Sequence, residues 1–349
     1  MIAPRVVLIA VFFAVFSSLL MLAGDPQSPA YPILNGLEKT PHLAIVGDSR
    51  PHTGISPTRI TSELNTLGLP DVRSYNFAVD GTDVLHSYSF VINGLLQRKP
   101  VPKVIVWGTN PLQFDGSRPN NRLEQLDLND VPALWRAGAP IETILDVVTM
   151  AYFRPWRQRP VFARVVSDYS ERAAIRTLPI QTRLLGLSHA AEVKSRVYTK
   201  RDDGQEPFEI LDWKDRFDRG AAAYIKDYEK LVLSAWHIEI ARLLAKQVRE
   251  AGSKLIILEM PVAPWFQSHL APHPKHAKWR DEITKIATHE GALFLNHAAL
   301  YTDSDSKFGD PAHMPAVTAD EYSIKLARTM FENKEISNAL SAPRKIGRR

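Results

Sequence analysis

The chain has 349 residues and a formal net charge of +5, with 45% apolar and 23% charged residues. This composition is typical of a globular protein with a full hydrophobic core, and it excludes wholesale disorder and fibrous repeats. There is no cysteine, which excludes disulfide scaffolds, thiol nucleophiles and cysteine-bound zinc or iron. Because the basic residues are spread evenly along the chain, we expect no nucleic acid partner.

The N-terminal segment predicts a membrane anchor over residues 1–24. Residues 6–23 contain no charged side chain, and a helix of this length spans about 27 Å, close to the thickness of a bilayer core. Arg5 precedes the run and Asp25 follows it, so the positive-inside rule places the body outside the cytoplasm. A cleaved signal peptide and a buried core helix are the alternatives. We expect a single-pass protein of the cell membrane with a periplasmic or cell-surface body.

Downstream of this segment the sequence predicts a linker, an α/β domain and a tail. Four prolines in residues 25–41 indicate a linker. Residues 42–335 alternate apolar runs with helical segments, which indicates an α/β fold with a five-stranded parallel sheet covered on both faces. Residues 336–349 predict a basic flexible tail. The predicted strands are 43–46, 72–78, 103–107, 254–258 and 292–295. The predicted helices are 56–67, 84–97, 221–250, 275–290 and 317–331. His237 lies on the third of these helices, where we expect a partly exposed face.

Residues 111–220 lack this alternation and predict a large, mostly helical insertion in the α/β domain. Within it, residues 151–200 hold ten Lys or Arg and three Asp or Glu. This positive surplus suits anionic lipid head groups or an acidic polymer, and a solvated helical face is the alternative. Tyr152, Phe153 and Trp156 lie among these arginines, where aromatic rings stack on sugars, lie at a membrane interface or pack on a core. Trp156 is therefore a candidate substrate-binding residue.

Polar motifs follow three of the predicted strands, at the edge where open parallel sheets bind ligands. They are Gly47-Asp48-Ser49-Arg50 after the first strand, Asn76-Phe77-Ala78-Val79-Asp80-Gly81 after the second and Gly108-Thr109-Asn110 after the third. A fourth motif, Phe308-Gly309-Asp310-Pro311-Ala312-His313-Met314, precedes the last helix. Each motif alone is explained by a turn or a helix cap. Together they predict one site at the carboxyl edge of the sheet.

These motifs contain every group that acyl transfer through a serine requires. The reaction needs a hydroxyl nucleophile, a base, a carboxylate that orients the base, and hydrogen-bond donors for the oxyanion. Ser49 provides the hydroxyl, His313 the base, and Asp310 lies three residues before the base. The main-chain amides of Ser49 and Gly81 and the side-chain amide of Asn110 provide the donors. We therefore predict a catalytic triad of Ser49, His313 and Asp310.

The four motifs resemble those of the SGNH (GDSL-like) hydrolase superfamily over residues 43–110 and 254–331. The resemblance implies a three-layer, flavodoxin-like α/β fold with a parallel five-stranded sheet. It also implies that Ser49 is the nucleophile and that Asp310 and His313 complete the triad. The oxyanion hole that it implies consists of Ser49, Gly81 and Asn110.

Two features restrict the resemblance to a smaller group within this superfamily. One is a pair of departures from the common motifs, and the other is the order of the segments along the chain. Arg50 and Pro111 stand where the common motifs have Leu and Asp, which separates the chain from ordinary secreted lipases and esterases. One membrane span, an external body and a long insertion resemble the accessory proteins of polysaccharide O-acetylation, of the alginate acetylation and teichoic acid D-alanylation types. This resemblance implies a polysaccharide or other glycan acceptor and a polytopic membrane-bound O-acyltransferase as partner.

The other candidate substrate-binding residues flank the predicted nucleophile or lie near the rim of the site. They are Asp48 and Arg50, beside the nucleophile, and His269, at a histidine-rich helix start. His269, His273 and His276 lie close together, but prolines interrupt their spacing and no zinc motif is present, so we expect no metal. There is no phosphate-binding loop or dinucleotide motif, so we expect no cofactor.

Three functions remain open from the sequence. In an acyltransferase, Ser49 takes an acetyl or similar acyl group and His313 then activates a sugar hydroxyl as acceptor. In a carbohydrate or lipid esterase, water replaces that acceptor. In an inactive scaffold of an envelope polysaccharide complex, neither reaction occurs, although every catalytic group is present. The sequence does not separate the first two, because the acceptor depends on how the insertion excludes water.

Overall fold

The computed structural model describes residues 30–117, 123–152, 196–198, 203–205, 208–210 and 214–343. The predicted membrane anchor and Trp156 lie outside these ranges. Within them, no helix combines the length and the apolar character needed to cross a bilayer. The chain divides into two compact units, Met1–Ser28 with Arg122–Lys194 and Pro29–Asn121 with Ser195–Arg349.

A five-stranded parallel sheet forms the centre of the second unit and confirms the predicted fold class. The described strands are β1 (Leu43–Gly47), β2 (Ser74–Asn76), β3 (Val104–Thr109), β4 (Arg196–Tyr198), β5 (Phe208–Ile210), β6 (Lys254–Glu259) and β7 (Leu293–Asn296). The order across the sheet is β2-β1-β3-β6-β7, and every pair in it is parallel. All residues of β1 and β3 are buried, as expected for strands covered on both faces. Strands β4 and β5 pair separately and antiparallel.

Helices cover both faces of this sheet. The described helices are α1 (Ala30–Gly36), α2 (Ser49–Gly54), α3 (Pro57–Thr66), α4 (Val84–Ser89), α5 (Val131–Ala137), α6 (Ile141–Tyr152), α7 (Lys214–Lys230), α8 (Ala235–Glu250), α9 (Pro264–Leu270), α10 (Pro274–Glu290), α11 (Ala316–Glu332) and α12 (Lys334–Ser341). Helix α11 packs on α2 and α3, and α8 packs on α4 and α10. Alternate strand residues point to opposite faces, so Leu43 and Ile45 join one apolar cluster while Ala44 and Val46 face the other layer. The described part of the first unit consists of α5 and α6, which pack together, with a short 3₁₀ turn before them.

The prediction of one long helix over 221–250 is wrong, because the chain leaves the helix between α7 and α8. The amide of Val232 donates to Asp115 Oδ1 at 3.0 Å, and the amide of Ser234 donates to the Phe114 carbonyl at 3.0 Å. Ser234 then caps α8 through its hydroxyl. The apolar residues in this stretch preserve the helical period, so only the tertiary hydrogen bonds reveal the break.

Two segments predicted to be irregular contain short helices. Helix α1 lies in the predicted linker 25–41, and α12 covers the start of the predicted tail 336–349. Each helix buries apolar side chains against the body: Leu34 in α1, and Ile336 and Leu340 in α12. Proline content and charge favoured irregular structure, but the burial of these side chains stabilises a helix in both places.

Of the three histidines near α9 and α10, His276 belongs to a buried network around Glu259 at the end of β6. Glu259 accepts hydrogen bonds from His276 Nε2 at 2.7 Å and from Arg280 Nε at 2.7 Å. Burial would raise the pKa of Glu259, but His276 and Arg280 lower it below its usual value. The Glu259 carboxylate therefore joins the sheet to α10 in its ionised form.

We expect Glu259→Gln to lower the free energy of unfolding by about 3–5 kcal/mol at pH 7, because it leaves the Arg280 guanidinium and the buried His276 ring without their carboxylate partner. The folded-state pKa of Glu259 is lowered, so its stabilisation is present above the pKa of the unfolded carboxyl and lost as the pH falls through the folded value. The difference in the free energy of unfolding between wild type and Glu259→Gln should therefore become smaller below about pH 4. Urea unfolding of both proteins at pH 7 and below about pH 4 measures this difference. Glu335→Gln is the control, because Glu335 is 74% exposed and its pair with Lys254 is solvated.

Candidate active site

Ser49 and His313 form a hydrogen-bonded pair, although 264 positions separate them in the sequence. Ser49 Oγ lies 2.7 Å from His313 Nε2, and both Asp310 carboxylate oxygens lie 2.9 Å from His313 Nδ1. A carboxylate only accepts hydrogen bonds, so Nδ1 carries a proton, and Nε2, when it is unprotonated, accepts from Ser49 Oγ. This arrangement makes His313 a base for the Ser49 hydroxyl, with Asp310 orienting the ring.

The turn after β1 places Ser49 at the carboxyl edge of the sheet. Gly47 has φ +136°, and a Cβ there would lie 2.2 Å from the Gly108 carbonyl oxygen, so only glycine allows β1 and β3 to approach this closely. Asp48 follows in an extended conformation and caps α2 by accepting from the Arg50 amide at 3.0 Å. Ser49 is the first residue of α2, so its amide has no partner within that helix.

A tight loop before α11 holds the acid and the base. Asp310 Oδ1 accepts from the main-chain amides of Ala312 at 2.9 Å and His313 at 3.0 Å, as well as from the His313 ring. The Gly309 amide donates back to the His313 carbonyl at 2.8 Å. Asp310 is therefore oriented by main-chain groups, and this preorganises the Asp310–His313 pair before substrate binds.

The three residues predicted to donate to the oxyanion, Ser49, Gly81 and Asn110, line one cavity with His313. Gly81 has φ +67°, a left-handed conformation that glycine adopts without strain. Asn110 begins the 3₁₀ turn after β3, and its Oδ1 accepts from the Leu112 amide at 3.0 Å. Its amide group therefore points away from that turn, with Nδ2 as the donor on the side of Asp48 and the cavity.

Asp48 has a structural role that the sequence analysis did not assign. Its Oδ2 accepts from Asn110 Nδ2 at 2.6 Å, while its Oδ1 caps α2. One N–H of the Asn110 amide is thereby engaged, and the other remains for an oxyanion. Asp48 thus fixes the Asn110 side chain relative to the first turn of α2, which carries Ser49.

Arg50 is a buried cation on the wall of this cavity. It is 4% exposed, and its Nη2 has no hydrogen-bond partner. Its guanidinium lies 6.0 Å from the centre of the Tyr224 ring. Burial would lower the pKa of Arg50, but the neighbouring Tyr228 and Asp48 raise it above its usual value, so the group stays charged. Arg50 thus lies at the cavity wall with its guanidinium buried, and its role in substrate binding stays a prediction.

Tyr224, on α7, is a residue of the site that sequence reasoning missed. Its hydroxyl lies 3.5 Å from His313 Nδ1, on the side of the ring that faces Asp310. Burial, with the nearby Asp310 charge, raises the pKa of Tyr224, which keeps the phenol neutral. A single tyrosine on a periodic helix is no sequence motif, so only the tertiary structure places it here.

The cavity has a volume of about 470 Å³, and both polar and apolar groups line its wall. Its described lining residues are Asp48, Ser49, Arg50, Gly81, Thr82, Asp83, Asn110, Leu112, Gln113, Asp115, Gly220, Ala223, Tyr224, Asp227, His237, Asp310 and His313. His269 is absent from this wall, because it lies on α9 with its Nδ1 2.9 Å from the Trp265 carbonyl. His237 was expected on a partly exposed helix face, but it is 1% exposed and faces the cavity, so that expectation is wrong.

No protein-family model matches the chain, and no curated protein matches it. Among solved structures, the lipase/acylhydrolase from Enterococcus faecalis is similar, with 10% sequence identity and a TM-score of 0.38. The alignment covers 82% of this chain and 94% of that one. A likeness of this size carries no conclusion about activity, so the function has to come from the site itself.

Proposed function

We propose that the chain is a serine acyltransferase of the SGNH type, which carries an acyl group on Ser49 and passes it to a sugar hydroxyl. The observation that carries this proposal is the 2.7 Å contact between Ser49 Oγ and His313 Nε2, with Asp310 against the other ring nitrogen. A serine hydroxyl, a neutral imidazole and an orienting carboxylate in this order are the arrangement that activates serine for attack on an ester.

In the first half of the reaction, Ser49 Oγ attacks the carbonyl carbon of the acyl donor. His313 Nε2 takes the hydroxyl proton, and the resulting imidazolium is stabilised by Asp310. The carbonyl oxygen becomes an oxyanion, for which the amides of Ser49 and Gly81 and the side-chain amide of Asn110 are the donors. The intermediate then collapses: the bond from carbon to the leaving oxygen breaks, and that oxygen takes the proton from His313. The acyl group remains on Ser49.

In the second half, the acceptor hydroxyl enters beside His313 and gives its proton to Nε2 while its oxygen attacks the acyl-Ser49 carbonyl. The bond from this carbon to Ser49 Oγ breaks, and Oγ recovers a proton from His313. Water in place of the acceptor gives hydrolysis, so the same residues serve both reactions. The cavity wall carries carboxylate, amide and imidazole groups beside its apolar surface, and these groups support a sugar as acceptor because they bind hydroxyls.

The proposed location and partner follow from the sequence. The apolar run 6–23 supports a membrane anchor with the catalytic body outside the cytoplasm. A protein anchored in this way is positioned to receive acyl groups from a polytopic membrane-bound O-acyltransferase. The basic stretch 151–200 suits the anionic surface of the membrane beside such a partner.

The purified full-length protein tests this proposal with an aryl acetate as donor, with and without a neutral oligosaccharide. Release of the aryl alcohol measures acylation of Ser49, and mass spectrometry of the oligosaccharide measures transfer. Acetylated oligosaccharide supports the transferase. Release of acetate alone, unaffected by oligosaccharide, assigns the chain as an esterase, and no release of aryl alcohol supports an inactive scaffold.

We expect Asn110→Ala to lower kcat for aryl acetate by about 10²–10³, because it removes one of three oxyanion donors. The KM should change little, since the donor acts mainly in the transition state. Asn110→Ser is the matched variant: serine also caps the 3₁₀ turn but does not extend an amide into the cavity. A Ser variant with wild-type kcat would show that Asn110 acts only as a cap.

A further inference from the structure

The wall of the cavity contains a second polar group that the acyl-transfer steps do not use. It consists of Asp83, which caps α4, and His237, in the first turn of α8. The two side chains come from different elements and interact electrostatically. Both line the same cavity as Ser49.

His237 is a buried imidazole with unused hydrogen-bonding capacity. It is 1% exposed, and neither of its ring nitrogens makes a hydrogen bond of good geometry, although the Phe114 carbonyl lies near the ring. The Trp236 ring packs on it at 3.8 Å between centroids. Burial lowers the pKa of His237, against the opposing effect of Asp83, so the ring is neutral at pH 7 and offers one donor and one acceptor.

Asp83 supplies an acceptor on the same cavity wall. Its Oδ1 accepts from the Leu85 and His86 amides and from His86 Nδ1, which lies 2.8 Å away. Its Oδ2 accepts from no residue in the described part of the chain. Burial would raise the pKa of Asp83, but His86, through its charge and its hydrogen bond, lowers it. The carboxylate is therefore ionised, and one of its oxygens is available to a ligand.

A neutral imidazole and an ionised carboxylate together complement hydroxyl groups. A hydroxyl both donates and accepts, so it can donate to Asp83 Oδ2 or His237 and accept from the ring N–H. Leaving a buried polar group unpaired costs free energy, and a ligand that pairs it regains that cost on binding. An anionic ligand is disfavoured, because Asp115 and Asp227 line the same wall and Arg50, the arginine among the described lining residues, interacts with Asp48 and two tyrosines.

We propose that Asp83 and His237 form a subsite that binds hydroxyl groups of an uncharged sugar unit. The choice of a sugar rests on the proposed acyl transfer, whereas the position and the preference for an uncharged ligand rest on the cavity itself. The subsite would hold the sugar next to the triad, so that one of its hydroxyls reaches Ser49. Asp83 and His237 are thus specificity-determining residues.

The test is calorimetric binding of oligosaccharides to the full-length protein without an acyl donor. The probes are cellohexaose, mannohexaose and xylohexaose, with hexagalacturonate as the anionic comparison. We expect at least one neutral probe to bind, and hexagalacturonate to bind at least about tenfold more weakly than it. His237→Leu should weaken the neutral probe about tenfold, and His237→Gln, which keeps a donor and an acceptor, should recover most of this loss.

Two further variants complete the test, one in the subsite and one as a control outside it. Asp83→Asn retains the cap of α4 but removes the charge, and it should also weaken binding, which matters if His237→Leu does not fold. His297→Leu is the control: His297 has a pKa lowered by burial and lies outside the cavity wall, so binding should not change. The subsite is refuted if no neutral probe binds the wild-type protein, or if hexagalacturonate binds it as tightly as the neutral sugars. It is also refuted if His237→Leu or Asp83→Asn binds the neutral probe like wild type, or if His237→Gln binds it no better than His237→Leu.

Aryl acetate hydrolysis by the wild-type protein is measured in parallel and keeps the two proposals separate. Sugar binding without hydrolysis contradicts the acyl transfer and leaves the subsite in place. Hydrolysis without sugar binding contradicts the subsite and leaves the chemistry of Ser49 in place.

Discussion

Ser49→Ala is expected to reduce kcat for aryl acetate by a factor on the order of 10⁴–10⁶. The variant removes the oxygen that forms the bond to the acyl group, so only transition-state binding by the oxyanion donors and the cavity remains. The change is small and lies at the start of α2, whose cap comes from Asp48, so the fold should be retained. Initial rates with enzyme in excess measure the residual activity.

A serine-directed phosphonate gives an independent measurement of the same prediction. The wild-type protein should gain one phosphonyl group, located on Ser49 by peptide mass spectrometry, and Ser49→Ala should gain none. Ser268→Ala is the matched control, because Ser268 is an exposed serine on α9 that bonds only locally. Equal labelling of wild type and Ser49→Ala, or turnover within tenfold of wild type, would rule out Ser49 as the nucleophile.

The second large effect is expected for His313→Ala, which should lower kcat by a similar factor. Without the imidazole, no group at 2.7 Å takes the proton from Ser49 Oγ, and the leaving oxygen has no acid to protonate it. His289→Ala is the control, because His289 is an exposed histidine on α10 paired with Glu290. Aryl acetate turnover measures both variants.

The double variant Ser49→Ala/His313→Ala distinguishes a concerted pair from two separate contributions. Residues that act as one unit lose their joint contribution when either is removed, so the double variant should be about as slow as each single variant. If the two losses in ΔG‡ add instead, Ser49 and His313 act independently, and the triad interpretation fails.

The fold class was predictable because each parallel strand is a local apolar run. Leu43–Gly47 and Val104–Thr109 are buried on both faces, so their sequences are continuously apolar whatever they pack against. The break between α7 and α8 was not predictable, because residues 231–233 keep the helical period. What ends the helix there is the pair of hydrogen bonds to Asp115 and Phe114, residues more than a hundred positions earlier.

The sequence by itself determined the identity of the reactive groups. The motifs that carry these groups are local features: a hydroxyl, a glycine and an asparagine each follow a strand, and Asp-x-x-His precedes α11. Helix caps and turns of this kind are encoded locally. The pairing of Asp310 with His313 is also local, since the loop itself orients both side chains.

Only the tertiary structure decided what surrounds these groups. The burial of His237, the position of Tyr224 beside His313 and the contact of Asp48 with Asn110 depend on which helix face and which strand end meet at the cavity. Helical periodicity identifies an apolar face, and it does not identify which polar residue at the edge of that face will be enclosed by another element. That choice is made when α4, α7 and α8 pack around the carboxyl edge of the sheet, because burial and hydrogen bonding there involve residues far apart in the chain.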